Sequence, residues 1–427
     1  MKLRKLGGLA LGAMLVAAAC KTGGGATATP GAATEGPTQA PAEVTPPTDP
    51  LGVVTIAPGD PIHIANWGVL STADATLGQD ALYGVQIAID DKGGKLLDHT
   101  IQLTTEDGLC TVEGGATAAQ KMAADSTLVG LIGSSCSDET IGGIKALSEA
   151  GLTTISPSNT RPLLTDPGRD ATFAGYLRTA HSDAFQGKAV AEFAYNELGL
   201  KTAATIHDGS GYAEALQQVF VDEFKRLGGT ITAQEAVGKT DTDMKPVLTR
   251  VAQTKPEMIY YPIFVASGGF ITAQARQVPG LETTVLMGSD GIFTPDFVKA
   301  AGPAALNMYL SSPNFSAFQA GYADFITKYK AKVGTAPISA FHAHAYDATN
   351  ILFAAIEKVA VKAADGTLYI PKGALRDAIY ATQAFPGITG TLTCGPYGDC
   401  GAPLIAVYQI TAREIGGEWP PAAPVWP

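Results

Sequence analysis

From residue 61 onward the hydrophobic positions alternate between two spacings. "IHIANWGVL" (62–70) and "TIQLTTED" (100–107) read as strands, and "LVGLIG" (128–133) is a short apolar run bounded by glycine. Between them, "GQDALYGVQIAIDDKGG" (78–94) sets Leu82, Val85, Ala88 and Ile89 on one side of a helix and stops at a glycine pair, and "GGATAAQKMAAD" (114–125) is also helical. After residue 132 comes another helix, then the strand "LTTIS" (152–156). Repeated strand–helix–strand units imply a parallel sheet covered by helices on both faces.

A second series begins after Arg178. It predicts helices over 183–198, 212–227, 244–253 and 268–277, interleaved with the strands "TAATIHD", "TITAQEAV", "MIYYPIF" and "TTVLMG". The expected fold is therefore α/β, with two doubly wound parallel-sheet lobes. Two late helical segments, 317–332 and 343–362, are too helix-rich to form a third parallel sheet and are expected to return to an earlier lobe. Ligands of open α/β sheets bind beyond the carboxyl ends of the strands, so two facing lobes put a cleft there.

The amino terminus follows different rules. "MKLRKLGGLALGAMLVAAAC" has Lys2, Arg4 and Lys5, then an apolar run, then small residues, which is the pattern of a signal peptide over 1–19. Cys20 directly after three alanines resembles the lipid-attachment cysteine of a bacterial lipoprotein, although Ala17 stands where a large aliphatic residue is usual. Residues 21–50 hold six prolines, no aromatic and one large aliphatic residue, Val44, too little apolar surface to fold. The expectation is a disordered tether over 20–60, reaching on the order of 30 Å, with the folded body held at the outer face of a membrane.

Composition narrows the classes. The 427 residues are 46% hydrophobic and 16% charged, with formal net charge −11. An acidic chain without clustered Lys and Arg is a poor match to nucleic acid. Removing Cys20 leaves Cys110, Cys136, Cys394 and Cys400, an even number in an exported protein. Three pairings are possible. Cys394 and Cys400 flank the turn-rich "GPYGD", which suits a bridge across a hairpin and would leave Cys110 with Cys136; free buried thiols are the alternative. No CxxC is present and the histidines are not spaced to complete a zinc site, so no metal is expected.

The stretch "IGSSCSDET" (132–140) carries the first chemistry. A strand ends in a small polar loop that opens a helix, a corner whose unpaired amides and hydroxyls suit a small anion. The plainer alternative for each hydroxyl is a helix cap or a side-chain turn.

With "DDKGG", "EDGLC", "IGSSCSDET", "ISPSNTRPLLT", "HDGSGYAEAL", "IYYPIF", "LMGSDGIFTPDF" and "AYDATNILFAAIEKV" in this order, the chain resembles the type I periplasmic-binding family from about residue 60 to residue 407, and within it the leucine/isoleucine/valine-binding proteins of ABC transporters. The resemblance implies lobes of 61–180 with 310–402 and 181–309 with 403–427, joined by three hinge strands. It matches Cys110 and Cys136 to a bridged pair, and puts Cys394 and Cys400 in a C-terminal hairpin. It implies no cofactor, no catalytic residue, a monomer, an apolar amino acid as ligand and a permease complex as partner.

Residue by residue, the resemblance gives Ser137 the α-carboxylate of that ligand and Thr160 a contact with both ligand ends, with Ser158 and Asn159 presenting mainly backbone groups. Asp290, in "GSDG", matches the acid that binds the ammonium, shorter here than the Glu of leucine-specific relatives. Tyr212 and Phe264 match aromatics that close over the ligand, and Leu77 lies against its side chain, with Trp67 nearby. Enzyme readings lack local signatures, because GxSxG, HExxH, GxxxxGK[ST] and a GxGxxG after the first strand are absent. His342 and His344 are expected to pack rather than bind metal, and His207 with Asp208 has no nucleophile. The alternative within the same fold is a sensor of an amide, urea or another small polar solute.

Overall fold

The computed structural model describes residues 45–427; the signal peptide, Cys20 and residues up to 44 lie outside the described residues. The first sheet has the order Lys95–Leu96, His99–Asp107, Ile62–Gly68, Leu128–Gly133, Thr154–Ser156, Tyr176–Arg178, parallel apart from its first two-residue strand. The second runs Ile405–Gln409, Tyr309–Pro313, Val285–Gly288, Met258–Tyr260, Thr202–His207, Thr230–Ala236, parallel except for the antiparallel pairing of its first two strands. Among the described residues the chain passes between the lobes three times, at 179–182, 314–320 and 401–404. The late helices Gly321–Val333 and His342–Val359 do return to the first lobe, where the latter packs on the helix Ala75–Asp91.

The strand Tyr309–Pro313 belongs to the second sheet, so the lobe boundary expected at 309/310 moves past residue 313. The tether is also shorter than expected. Val53–Ile56 pairs antiparallel with Leu368–Pro371, and Asp49 accepts from the amides of Gly373 and Ala374 at 3.0 Å each. The segment is ordered because Val54 and Ile56 are buried in the first lobe's core while its backbone and one carboxylate complete the edge of a small sheet and the first turn of a helix.

The helix Ala75–Asp91 buries Ala81, Gly84, Val85 and Ala88, leaving Leu82 and Ile89 partly exposed, unlike the face expected from its larger residues. Small residues form the seam because the neighbouring helix comes so close: a Cβ on Gly84 would stand 2.1 Å from the His342 carbonyl oxygen. The segment 183–198 begins as the α-helix Asp183–Glu192 and finishes as a π-turn over Phe193–Glu197. Both disulfides form, Cys110 to Cys136 and Cys394 to Cys400, with Cα separations of 5.2 and 3.8 Å. No helix among the described residues is long and apolar enough to cross a membrane.

Candidate functional site

Among the cavities between the lobes, a small one gathers most of the residues matched by the sequence; a larger one beside it is lined by Asp74, Cys110, Asp208 and Lys239 among others. The walls of the small one are Leu77, Ser135, Cys136, Ser137, Ser158 and Phe341 from the first lobe, and Tyr212, Phe264, Asp290 and Gly291 from the second, around a cavity of about 10 Å³. That is room for about one water molecule, so the empty cleft is shut on itself and must widen to admit any ligand. Leu77, Cys136 and Phe341 pack into the second lobe's hydrophobic core, so the structure is the closed form.

On the first lobe, the strand Leu128–Gly133 leads through 134–136 into the helix Ser137–Glu149. The corner amides are less open than the sequence suggested. The buried Glu139 carboxylate accepts from Ser135 and Cys136 N–H at 3.0 and 2.9 Å and from Cys110 N–H at 2.9 Å. Burial pushes Glu139 up to about 7, against the pull of those three amides. The hydroxyls of Ser137 and Ser158 line the cavity, and Ser158 Oγ donates to the Ser135 carbonyl at 2.8 Å.

Asn159 and Thr160 are buried but line no part of the cavity. Asn159 is a brace: its Oδ1 accepts from Thr140 Oγ1 at 2.6 Å and Ser134 Oγ at 3.2 Å, and its Nδ2 donates to the Ser134 carbonyl at 3.1 Å. Thr160 holds the start of the next lobe, its carbonyl accepting from Asp183 N–H at 2.8 Å. Trp67 is fully buried in a separate first-lobe core, donating to Thr154 Oγ1 at 3.1 Å. His342 is buried beside Asp80, with Nδ1 to Oδ2 at 3.0 Å, and His344 is also buried in the packing. Asp208 accepts from Ser210 Oγ and N–H at 2.6 and 3.0 Å.

The second lobe supplies negative charge and aromatic cover. Phe264 falls beyond the strand Met258–Tyr260, at the N-cap of the helix Val265–Ala275, and its ring lies 5.1 Å from that of Tyr212. Asp290 Oδ1 accepts from Gln186 Nε2 at 2.5 Å and Tyr212 OH at 3.1 Å. Burial pushes Asp290 up to about 6, and the Gln186 and Tyr212 bonds only partly offset this.

Sequence reasoning missed Asp183, Gln186 and Phe341. Asp183 is fully buried at the first lobe crossing, and neither of its carboxylate oxygens has a hydrogen-bond partner. The Thr160 hydroxyl approaches it and lowers its pKa without reaching hydrogen-bond geometry. Burial first, then the charge of Asp290, raise Asp183 well above the usual carboxylate range. The charges of Arg178 and Arg161 pull the other way but only partly offset this, the Arg178 Nε being held by Asp399 at 2.5 Å. An unpartnered buried carboxylate is costly, so this end of the cleft awaits a cation. The opposite end offers hydroxyls.

Two lobes shut over a small polar-ended cavity define a solute-binding protein rather than an enzyme. The chain belongs to the periplasmic binding protein family, whose model matches residues 61–410. It is 24% identical over 347 residues to Leu/Ile/Val-binding protein homolog 3 of Brucella melitensis, covering 80% of this chain and 89% of that one. A leucine-binding protein from Thermotoga maritima superposes with a TM-score of 0.73 at 25% identity, covering 82% of this chain and 95% of that one. The branched-chain amino acid transporter substrate-binding protein of Streptococcus pneumoniae, solved in complex with isoleucine, shares the fold at 24% identity and TM-score 0.73, covering 86% of this chain and 100% of that one.

Proposed function

We propose that this protein binds an apolar, branched-chain amino acid as its zwitterion by closing its lobes, and delivers it to the permease of an ABC importer. The observation that carries the reading is the charge layout of the cavity. Asp290 lines the cavity with a raised pKa, and Asp183, outside the lining, is buried within reach of its charge and only partly offset by Arg178 and Arg161, which suits an ammonium; Ser137 and Ser158 at the other wall suit a carboxylate. Leu77, Phe264 and Phe341 make the remaining wall apolar, which suits an aliphatic side chain. Three relatives or structural neighbours with names of this kind support the same class.

A thermal-shift panel of the twenty amino acids, leucinamide and urea tests it. A ligand at 100 times its dissociation constant adds about 2.7 kcal/mol of stability. Leu, Ile and Val should give the largest shifts. Stabilisation by urea alone would replace this reading with a sensor or importer of a neutral solute, and stabilisation by leucinamide alone with a binder of an amide-bearing ammonium.

The extracytoplasmic site of action is supported by the family and by two disulfides. Lipid attachment at Cys20 completes the proposal, supported by the charged, apolar, small-residue sequence before it. Cys20→Ala should move the exported protein from the membrane to the soluble fraction. Unchanged membrane retention would refute the anchor.

A further inference from the structure

Beyond the cavity walls, the lobes are tied by bonds that involve helix ends. Asp74 occupies the N-cap of the helix Ala75–Asp91, a position where Asp ordinarily accepts from its own helix, yet its side chain makes no such bond. Its Oδ1 accepts instead from Val265 N–H of the opposite lobe at 3.1 Å. Val265 opens the helix Val265–Ala275, whose own N-cap, Phe264, has no acceptor to offer.

Asp138 repeats the arrangement from the helix Ser137–Glu149. Its Oδ1 accepts from Gly211 N–H at 3.0 Å, the first amide of the second-lobe helix Gly211–Arg226, and its Oδ2 receives Lys239 Nζ at 3.3 Å. Ser210, that helix's own N-cap, is occupied by Ala213 N–H at 3.2 Å. The approach is close at Gly211: a Cβ there would stand 2.6 Å from Asp138 Oδ1 and 2.2 Å from Arg161 Nη1, and would displace both side-chain tips.

We infer that Asp74 and Asp138 are positioning residues for closure: first-lobe carboxylates that supply the missing caps of two second-lobe helices only when the lobes are shut, and so set how long a ligand is held. The inference rests on the lobe-closure reading above and not on the identity of the ligand. First-turn amides have no partner within their helix and carry the positive end of its dipole. In an open cleft water satisfies them; in the closed form the other lobe's carboxylates do.

The two caps differ in charge balance. Asp138 faces a lysine. Asp74 faces Asp208 and Lys239 across the cleft, while Thr76, two residues along, is hydrogen-bonded to Asp296 of the helix Pro295–Ala301. Burial pushes Asp74 up to about 6; the Val265 amide and Lys239 oppose this and Asp208 adds to it. Closing therefore takes up a proton, and Asp74 favours closure as pH falls through 6. Between pH 7 and pH 5 its contribution to the closed population rises about tenfold.

The test is stopped-flow release of leucine from the parent, Asp138→Ala, Asp138→Asn, Asp74→Ala and Asp74→Asn, each with a native circular-dichroism spectrum. Asp138→Ala and Asp74→Ala should each speed release about tenfold with association within about threefold, and Asp138→Asn should fall between. Asp74→Asn keeps an acceptor without the charge, so it should hold leucine more tightly than the parent at pH 7. The ratio of parent to Asp74→Asn affinity should rise about tenfold from pH 7 to pH 5. Release rates within twofold of the parent in both alanine variants, or the same pH dependence in Asp74→Asn as in the parent, would overturn the inference. Small-angle scattering separates it from the ligand assignment. If leucine does not bind, the ligand-free parent should still compact between pH 7 and pH 5 and Asp74→Asn should compact less, Asp290 titrating in both; equal behaviour of the two would overturn it.

Discussion

Asp290→Asn should move stability and affinity in opposite directions. Asp290 is 4% exposed and its pKa rises from 3.8 to about 6 in the empty closed cleft. At 1.36 kcal/mol per pKa unit this rise corresponds to roughly 3 kcal/mol of penalty for holding the charge there at pH 7. The neutral isostere removes that penalty, so the ligand-free variant should be more stable, by up to about 3 kcal/mol in urea unfolding. An ammonium beside the carboxylate relieves the same penalty in the parent, so the variant should lose about 3 kcal/mol of leucine affinity, roughly 100-fold. Calorimetric titration and urea unfolding at pH 7 read the two effects separately. The sign with pH follows from the raised value: the parent's ligand-free stability should fall as pH rises through 6, and its leucine affinity should fall as pH drops below 6, where Asp290 must first give up a proton. A variant that loses stability and binds leucine within threefold of the parent would refute the assignment of Asp290 to an ammonium.

Leu77→Ala should reorder the affinities for Leu, Ile and Val by up to about 10-fold while leaving binding detectable, because Leu77 touches only the apolar wall; loss of all binding in calorimetry would contradict this. Glu139 has a folded pKa of about 7 against an ordinary 4.5, so its contribution is full below 4.5 and lost as pH rises through 7. Urea unfolding of Glu139→Gln should therefore show about 3 kcal/mol less dependence on pH between 5 and 8 than the parent, and an equal slope would refute it. Removing the Cys110–Cys136 bridge by paired serine substitution should cost roughly 3 to 4 kcal/mol for its 26-residue separation. A midpoint unchanged in urea would show that the bridge does not stabilise the corner.

Part of the site was legible because its residues sit at strand ends and helix starts, which the change of hydrophobic spacing marks. The corner at 132–140 was found this way; Asp290 in "GSDG" and Phe264 were singled out only through the resemblance. Asp183 was not, because an acid just inside a helix start after Ser182 reads as ordinary capping chemistry, and nothing local reveals that it is buried without a partner. Asp74 likewise reads as a cap for its own helix, and only the closed fold shows it serving another. Glu139 reads as the N3 acid of a capping box; that it also reaches Cys110 depends on the bridge bringing the two segments together. The packing face of the helix Ala75–Asp91 was right at Val85 and Ala88 and wrong at Leu82 and Ile89, because close helix approach selects Gly84 and Ala81 over larger neighbours, which hydrophobic weight alone does not capture. Asn159 matched a ligand position by sequence, but its amide is consumed by Ser134 and Thr140.

The central claim is that the cleft reads both charged ends of an amino acid, and calorimetric titration of the parent at pH 7 with leucine, leucinamide and N-acetyl-leucine tests it most directly. Leucine should bind with one-to-one stoichiometry. Leucinamide, lacking the carboxylate, and N-acetyl-leucine, lacking the ammonium that Asp183 and Asp290 await, should each bind at least about 30-fold more weakly. N-acetyl-leucine binding as tightly as leucine would contradict the account.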